Sequence, residues 1–401
     1  MATTETPISP PWVDKKRLEL WLREYHGQVT VTDVDVEVST AKGENYLSSI
    51  QRLKVTTEGG GVYRLLVKIC LEEGASGEVM KNSSIYRREM VIYRDILPKM
   101  HALLQEALPD SFEPLAPRCY YACMDFLVME DLTAAGFKME NFTVGLDLQR
   151  CLVIMRTIAR FHAASVILHQ RDPGCMKDFL VNFFHDPSIQ STWTRFFSGM
   201  ATTLVEELDT WSDEFKKYAD VLRRQIPDVM KLLQQTTLRD DSSFNVLTHS
   251  DLWVNNIQFS KDGSRARLVD FQFSSFGTPV LDLHYFLTNS VTMDVRMNHT
   301  DSLLQEYHNT LCDTLTALGY TQTLMTLEEL HKEFDSKIYY AMFTTISPYA
   351  LMQSAPQVEF SFEIGLRTGQ NPGRRMYGDA YKKAVRWLLP YFESRGLFTQ
   401  K

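Results

Sequence analysis

A short polar loop between two apolar runs carries the residues of this chain that are best suited to chemistry. The stretch VLTHSDLWVNNIQF places His249, Asp251, Asn255 and Asn256 between runs whose β-branched and apolar residues predict two short strands. A loop held between strands is a suitable place to position reactive groups. The alternative is an Asx-rich turn, in which Asp and Asn side chains bond their own backbone.

A second acidic residue follows shortly after this loop. The Asp-Gly pair at 262–263 predicts a hairpin turn, and residues 265–269 predict the return strand that ends at Asp270. We therefore expect Asp251, Asn256 and Asp270 at the tips of adjacent strands. Two carboxylates and an amide are hard oxygen ligands, and such ligands suit Mg²⁺ shared with substrate phosphates.

The first third of the chain predicts a small sheet with one long helix. Helical spacing covers Val13 to Tyr25, and a second helix is predicted over 84–107, with a break at Pro98. Five segments have the character of strands: 29–38 with a bulge near 32–33, 46–57, 62–70, 118–122 and 126–130. The glycine run at 58–61 precedes a strand, so it predicts a hairpin turn rather than a phosphate-binding loop.

The remainder of the chain is mainly helical in pattern. Periodic apolar residues predict helices over 146–169, 191–207, 213–235, 279–289, 301–318, 327–342 and 378–389. Runs of strands followed by runs of helices predict an α+β fold. We expect a β-rich lobe at residues 1–132 and a helical lobe at residues 133–401.

Composition excludes several classes of protein. The chain has 401 residues, 44% hydrophobic and 23% charged, with a net charge of -8, which argues against a nucleic-acid binder. The most apolar stretch, 151–169, is interrupted by Arg156, Arg160 and His162, so it predicts a buried helix and no membrane span. Because the chain shows no apolar leader and no CxxC pair, we expect a cytoplasmic protein. Separately, we expect it to be a monomer or a dimer.

The polar loop resembles a known catalytic motif. HSDLWVNN followed by DFQ is similar to the catalytic loop and the metal-binding motif of the protein-kinase-like superfamily. In that fold, a lysine on a strand pairs with a glutamate on the first long helix, and this chain offers Lys68 in LLVKI and Glu89 in YRREMVIY. A lysine in an apolar strand needs an anionic partner. A purely structural ion pair is the alternative.

More specifically, the chain resembles the insect ecdysteroid kinase-like family, which is related to the CHK kinase-like, choline kinase and aminoglycoside phosphotransferase groups. The matching segments are AKGENYLSSI, LVKI, REMVIY, FLVMEDL, ARFHAAS, HSDLWVNN and DFQFSSFGTPVLDLHYFL. The resemblance implies a two-lobed protein-kinase-like fold, with a small antiparallel N-lobe and a large helical C-lobe. It implies a CHK kinase-like region at about 125–320.

This resemblance implies a role for each residue of the constellation. Asp251 would accept or orient the proton of the substrate hydroxyl. Asn256 and Asp270 would hold Mg²⁺ on the phosphates. Lys68 would contact the α- and β-phosphates of ATP, and Glu89 would orient it. Because a surface aspartate has a pKa of about 3.9, we expect Asp251 to act more by positioning the hydroxyl than as a base.

The nucleotide would meet two further segments. A loop from Gly43 to Ser49, which includes Asn45 and Ser48, would turn over the phosphates, and a plain hairpin turn is the alternative. In the hinge-like segment, residues 129–132, Met129 would be the gatekeeper. The Glu130 carbonyl and the Leu132 N–H would meet the adenine edge.

Other residues of these motifs are expected to hold the structure around the loop rather than to take part in a reaction. His249 is expected to brace the loop, and His162 to pack in a helix near it. Thr278 is expected to cap a helix with Pro279 at its first position. Asp282 then lies in the first turn, favoured there by the helix dipole. The resemblance adds a second role for Asp282, as a brace of the catalytic loop, and both interpretations stay open.

The region after Asp270 bears on the substrate. The next predicted helix starts at Pro279, so little chain is left to hold a peptide, and a small alcohol is favoured. Several aromatic residues of the helical part could line an apolar pocket, although core packing is the better explanation for most: Tyr285, Phe286, Tyr339, Tyr340, Phe343 and Tyr349.

The function implied is an ATP-dependent phosphotransferase with an alcohol group as acceptor. The γ-phosphate would go to a hydroxyl of an ecdysteroid or another lipophilic alcohol, including a xenobiotic. One alternative is a choline/ethanolamine-type or broad-range detoxifying kinase. An alternative of another class is a catalytically silent binding protein that kept the fold.

Overall fold

The computed structural model describes residues 14–38, 48–70, 84–354, 358 and 361–398. Within these ranges a five-stranded antiparallel sheet forms the N-terminal part, and helices form most of the rest. This arrangement confirms the predicted α+β fold with a β-rich N-terminal lobe. The lobe boundary at residue 132 stays a prediction.

The N-terminal lobe consists of one sheet and three helices. Its elements are α1 (Lys15–His26), β1 (Val31–Val38), β2 (Ser48–Thr57), β3 (Val62–Cys70), α2 (Ile85–Val91), α3 (Leu97–Ala107), β4 (Cys119–Ala122) and β5 (Phe126–Glu130). The strand order is β1-β2-β3-β5-β4, so β3 is the central strand. The apolar side of α1 packs on this sheet.

Two local predictions for this sheet are confirmed. The pairing of β1 with β2 shifts between Val31 and Asp33, where the alternation of valines predicts a bulge. Strands β2 and β3 form an antiparallel hairpin whose turn contains Gly59 and Gly60, both at φ +82°. Only glycine adopts that conformation without strain, which explains the glycine run at this turn.

The predicted break of the long helix at Pro98 is wrong. A π-helical turn, Ile92–Ile96, joins α2 to α3, and Pro98 lies in the first turn of α3. Proline lacks an N–H and its ring crowds the carbonyl of the preceding turn. The wider π turn just before α3 accommodates both features, so the chain continues as a helix through this segment.

The C-terminal part contains five short strands and twelve helices among the described residues. The elements up to the last strand are β6 (Phe137–Lys138), α4 (Leu148–Arg171), α5 (Gln190–Leu208), α6 (Asp213–Gln225), α7 (Val229–Thr237), β7 (Val246–Thr248), β8 (Ile257–Ser260), β9 (Ala266–Leu268) and β10 (Ser275–Gly277). The elements after it are α8 (Val280–Asn289), α9 (Met293–Asn298), α10 (Thr300–Ala317), α11 (Leu327–Ser336), α12 (Ile338–Thr344), α13 (Ala350–Met352), α14 (Phe362–Thr368) and α15 (Asp379–Ser394).

The short strands do not form one sheet, which corrects the sequence expectation for the site. Strand β7 pairs with β10, whereas β8 lies between β6 and β9. Asp251 and Asn256 therefore lie in a loop that crosses from one small sheet to another. The hairpin of β8 and β9 is confirmed, but β10 was not predicted. Its three residues, SFG, are too few to show alternation.

Some predicted helices are divided in the structure. The predicted helix 213–235 is interrupted by a 3₁₀ turn, Ile226–Asp228, because Pro227 cannot donate a helical hydrogen bond. The predicted helix 327–342 is divided at Lys337, which lies between α11 and α12. Helices α9 and α14 are short and were not predicted.

Helix α4 combines 24 residues of length with a long apolar window. By length and composition it alone among the described helices could cross a bilayer, but 72% of its most apolar window is buried inside the protein. It packs along α10 and against β7. This burial fits the predicted core helix. His162 is one of the buried residues of α4, and it lies beside the loop that carries Asp251.

A buried histidine, His284, and a half-buried one, His101, make the stability of the protein depend on pH. Burial lowers the pKa of His284 to about 4, and its Nε2 donates to the Phe334 carbonyl oxygen at 2.7 Å. Burial also lowers the pKa of His101 to about 4, and its Nε2 accepts the Leu115 N–H. Both rings are therefore neutral in the folded protein at mildly acidic pH.

We expect the contribution of His284 and His101 to the free energy of unfolding to fall as pH drops from about 6.5 to 4, because the unfolded histidines bind protons that the folded ones exclude. His284 alone contributes about 3 kcal/mol over this window. His284→Gln should lose this contribution, so that its free energy of unfolding falls less than that of the wild type over this pH range, whereas His331→Gln on α11 should follow the wild type. Urea unfolding at several pH values measures this difference, and equal slopes for both variants would contradict it.

Candidate active site

A lysine of the central strand meets two carboxylates from distant parts of the chain. The Lys68 Nζ lies 2.8 Å from the carboxylate of Glu89 on α2 and 2.7 Å from Oδ1 of Asp270, which follows β9. Strands β2 and β5 pair with β3 on both sides and hold it in place, and the Lys68 side chain extends from β3 toward α2 and the segment after β9. The sequence motifs that contain these three residues thus converge in space.

The charges of this cluster stabilise each other. Burial alone lowers the pKa of Lys68, but Asp270 and Glu89 outweigh burial and hold it above its ordinary value. Burial raises the pKa of Glu89, and the Lys68 ammonium opposes that rise. A buried ammonium with two acidic partners is fully compensated. A ligand with negative oxygens could take the place of one of them.

Asp251 is held by two hydrogen-bond donors. The Tyr285 hydroxyl donates to Oδ1 at 2.6 Å, and the Asn256 Nδ2 donates to Oδ2 at 2.9 Å. Burial raises the pKa of Asp251 to about 7, and the Asp270 carboxylate adds to the rise. The expectation of an ordinary surface pKa is therefore wrong, since it ignored burial. Asp251 is a stronger base than the sequence suggested.

Asp282 on α8 holds the backbone of the loop that carries Asp251. Its two carboxylate oxygens accept the N–H groups of His249 and Ser250 at 2.6 and 2.7 Å. The His162 Nε2 donates to the same carboxylate at 3.1 Å, and its Nδ1 accepts the hydroxyl of Tyr307. These contacts fit the brace expected for Asp282, and they explain why a histidine is buried in α4.

The backbone of this loop is fixed in an unusual conformation. Ser250 and Asp270 have φ values of 66° and 67°, and they are the non-glycine residues with positive φ in the described ranges. Such a conformation persists only where surrounding contacts over-determine it, and it often marks functional sites. The His249 Nε2 donates to the Val269 carbonyl at 3.0 Å, which joins the two strained segments.

The predicted cap at the start of α8 is wrong. Pro279 is the N-cap of this helix, and Thr278 makes no capping bond. Its Oγ1 is buried without a hydrogen-bond partner among the described residues. Proline tolerates the start of a helix because its missing N–H is one that would have no helical partner there.

The arrangement of Asn256 and Asp270 fits a divalent metal that prefers oxygen. Asn256 spends its Nδ2 on the backbone and side chain of Asp251, so its carbonyl oxygen remains for another ligand. The Asp270 side chain is 22% exposed, whereas Glu89 is fully buried. Within the described ranges, no three acidic, histidine or cysteine residues form a metal cluster. Phosphate oxygens or water would therefore have to complete the coordination.

The predicted nucleotide contacts are described only in part. Gly43 and Asn45 lie outside the described residues, and so does the side chain of Ser48, whose backbone pairs with Cys70 at the start of β2. In the hinge, Met129 is buried in β5 and pairs with Leu66.

Beyond Met129, the hinge turns away from the sheet. Asp131 donates its N–H to the Arg64 carbonyl and accepts the Thr133 N–H on its own side chain. The Leu132 N–H makes no hydrogen bond to another described residue, while the Leu132 carbonyl accepts the Phe137 N–H. The Leu132 N–H is thus the hinge donor that a nucleotide base could use.

Most of the aromatic residues considered for a pocket belong to the core. Phe286, Tyr340, Phe343 and Tyr349 are buried, and Tyr340 and Phe343 pack against Phe184. The expected core packing is confirmed for these four.

Tyr285 differs from the other aromatic residues, because its hydroxyl donates to the Asp251 carboxylate. The sequence analysis missed this contact. Its signal is the spacing of three residues between Asp282 and Tyr285, which places both on one face of α8.

Comparison with known proteins agrees with the motifs. A model of the ecdysteroid kinase-like family matches residues 42–320. A search of curated protein sequences finds no match.

Solved structures with a similar chain path include two small-molecule kinases of other organisms. An ethanolamine kinase of Plasmodium vivax has 15% identity and a TM-score of 0.42, and the alignment covers 90% of this chain and 83% of that one. A choline/ethanolamine kinase family protein of Mesorhizobium loti has 14% identity and a TM-score of 0.41, with 95% and 96% covered. At these scores, the ligands of those proteins are not transferred to this chain.

Proposed function

This chain belongs to the ecdysteroid kinase-like family, and we propose that it transfers the γ-phosphate of ATP to a hydroxyl of an ecdysteroid or another small lipophilic alcohol. The observation that carries the proposal is that Lys68 contacts Asp270, while Asn256, which is bonded to Asp251, accepts on its backbone carbonyl the N–H of Val269, the residue before Asp270. Lys68 and Asp270 are 202 residues apart in the sequence. A structural ion pair alone would not require the buried aspartate at 251.

The phosphates of ATP are proposed to lie against Lys68. The ammonium would contact the α- and β-phosphates while Glu89, fully buried on α2, keeps it oriented. Mg²⁺ would be held by the Asn256 carbonyl oxygen and the Asp270 carboxylate, and when bound it would neutralise charge on the phosphates. The Leu132 N–H and the Glu130 carbonyl are proposed to bind the adenine edge.

Asp251 is proposed to receive the acceptor hydroxyl. The acceptor oxygen attacks the γ-phosphorus as the bond from that phosphorus to the bridging β-phosphate oxygen breaks, and ADP leaves. The hydroxyl proton passes to the Asp251 carboxylate. Because the transition state of phosphoryl transfer is loose, alignment of the acceptor contributes more than early proton removal. The raised pKa of Asp251 suits both tasks at neutral pH.

An apolar surface beside the catalytic loop supports a lipophilic acceptor. Trp253, two residues after Asp251, packs edge to face against Phe142, with ring centroids 6.1 Å apart. Met139 and Val144 of the same segment are 47% and 68% exposed. Apolar side chains thus lie close to the loop that would receive the acceptor. A cationic acceptor such as choline would call for an aromatic cage with acidic residues instead.

The compartment is part of the proposal. We place the reaction in the cytoplasm, where ATP and Mg²⁺ are abundant and where the six cysteines, without CxxC pairs, would stay reduced.

The direct test is transfer of labelled phosphate to a panel of alcohols. The panel contains an ecdysteroid, a simple lipophilic alcohol, choline and ethanolamine, each with Mg·ATP and with wild-type or Asp251→Asn protein. We expect mass spectrometry to detect a phosphate ester of the ecdysteroid or the lipophilic alcohol with the wild type only. Faster turnover of choline or ethanolamine would contradict the acceptor class. No transfer to any acceptor would favour a silent binding protein.

A further inference from the structure

The contact between Tyr285 and Asp251 is not explained by core packing. The Tyr285 side chain is nearly buried, 7% exposed, and its hydroxyl is directed at a carboxylate oxygen rather than at a backbone group. At 2.6 Å the bond has the length of a charge-assisted O–H···O⁻ contact. The Tyr285 hydroxyl therefore restricts the orientation of the Asp251 carboxylate.

Helix α8 supports the catalytic loop at two levels. Asp282, one turn before Tyr285, accepts the backbone N–H groups of His249 and Ser250. Tyr285 then holds the side chain of Asp251, which follows Ser250 directly. The backbone and the side chain of the loop are thus fixed by one rigid element. Such support from a helix keeps a reactive group within the narrow range that catalysis needs.

Two donors on two oxygens restrain the carboxylate. The terminal torsion of an aspartate is broad and nearly two-fold, so an unrestrained carboxylate rotates easily. Here Tyr285 donates to Oδ1 and Asn256 donates to Oδ2, so rotation would break both bonds. A carboxylate oxygen accepts more than one hydrogen bond. The acceptor hydroxyl can therefore bind an oxygen whose direction is already set.

We propose that Tyr285 is a positioning residue, whose hydroxyl holds the Asp251 carboxylate in the orientation that receives the acceptor hydroxyl. The inference rests on the proposed phosphotransfer. A competing interpretation is that the Tyr285 hydroxyl only fills the acceptor's place when no acceptor is bound. The two differ in kinetics: loss of a positioning bond lowers kcat, whereas loss of a competitor lowers the KM for the acceptor.

The test compares Tyr285→Phe with Tyr340→Phe as the matched control. Tyr340 is also buried, its ring centroid lies 6.5 Å from that of Tyr285, and it makes no hydrogen bond to Asp251. We expect Tyr285→Phe to lower kcat by about tenfold or more, from the loss of one charged hydrogen bond. The KM values for ATP and for the acceptor should stay within about twofold of wild type. Tyr340→Phe should behave as wild type.

A further variant isolates the contact itself. In the Asp251→Asn background, Tyr285→Phe should cause little additional loss of kcat, because the group that it positions no longer acts as a base. Unchanged Mg·ATP affinity, read from thermal shift, shows that each variant is folded. A multiplicative loss in the double variant would overturn the positioning role, since it would indicate independent effects.

Basal ATP hydrolysis tests the role of Tyr285 independently of which alcohol is the acceptor. Water then replaces the alcohol, and the same loss of about tenfold is expected for Tyr285→Phe. If the wild type hydrolyses ATP but phosphorylates no alcohol, the acceptor class fails while the role of Tyr285 is still tested. Wild-type kcat in Tyr285→Phe, or a lower acceptor KM at unchanged kcat, overturns the inference alone. A wild type without transfer and without hydrolysis overturns both.

Discussion

Asp251→Asn is expected to lose nearly all turnover while it leaves Mg·ATP binding intact. The variant keeps the size of the side chain and an oxygen that can accept the Tyr285 hydroxyl, but it removes the charge that orients the acceptor and receives its proton. Lost base catalysis and lost alignment together should lower kcat by roughly 10³-fold. Because Asp251 is not among the proposed metal and phosphate ligands, the affinity for Mg·ATP should change by about twofold at most.

The control for this change is Asp313→Asn, which removes an exposed carboxylate on α10 and should leave both quantities unchanged. Steady-state transfer of labelled phosphate gives kcat, and Mg·ATP titration gives the affinity. Turnover of Asp251→Asn within a few-fold of wild type would show that another group receives the acceptor. Loss of ATP affinity in this variant would mean that Asp251 binds the nucleotide or the metal.

Asp270→Ala is expected to remove the Mg²⁺-dependent part of ATP binding. The alanine deletes one proposed metal ligand and one of the two carboxylates beside Lys68. Since a metal bridge to the phosphates is worth several kcal/mol, the affinity for ATP in Mg²⁺ should fall by about 100-fold or more. In the presence of a chelator, the wild type and the variant should bind ATP with similar affinity, because Lys68 keeps Glu89.

Isothermal titration of each protein with ATP, with Mg²⁺ and with chelator, measures this dependence. Asp313→Ala serves as the control for loss of a carboxylate. The metal assignment would be refuted by equal ATP affinity of wild type and Asp270→Ala in Mg²⁺. A variant that binds ATP weakly in both conditions would instead indicate that Asp270 supports the fold of the cleft.

The sequence was sufficient for the parts of the fold that local pattern determines. Alternating valines and the glycine run predicted β1, its bulge and the hairpin of β2 and β3. Periodic apolar residues predicted most helices. Whether a proline interrupts a helix depends on the geometry of the adjacent turn, which the sequence pattern does not contain. The helix continues through Pro98 but is interrupted at Pro227.

The sequence motifs correctly predicted which residues lie close together, whereas the roles of these residues stay predictions. Lys68, Glu89 and Asp270 come together as expected, and Asp282 holds the loop. The partner sheets of β7 and β8 were missed, because strand pairing is a long-range property that three-residue strands do not encode locally. The raised pKa of Asp251 was missed for the same reason, since burial depends on tertiary packing.

The role of Tyr285 was predictable only in part from the sequence. Its position three residues after Asp282 was available from the sequence, and it predicts a shared helix face. Its contact with Asp251 depends on how α8 packs beneath the loop. The phosphate-covering loop from Gly43 to Ser49 and the roles of the hinge residues stay predictions.

The most direct test of the central claim is a crystal structure with Mg²⁺ and a non-hydrolysable ATP analogue. We expect the metal at about 2.0–2.1 Å from an oxygen of Asp270 and from the Asn256 carbonyl oxygen, with Lys68 Nζ on the α- and β-phosphates and Asp251 facing the γ-phosphate. A nucleotide bound elsewhere, or a Lys68–Asp270 pair that stays closed with no metal between the lobes, would contradict the account.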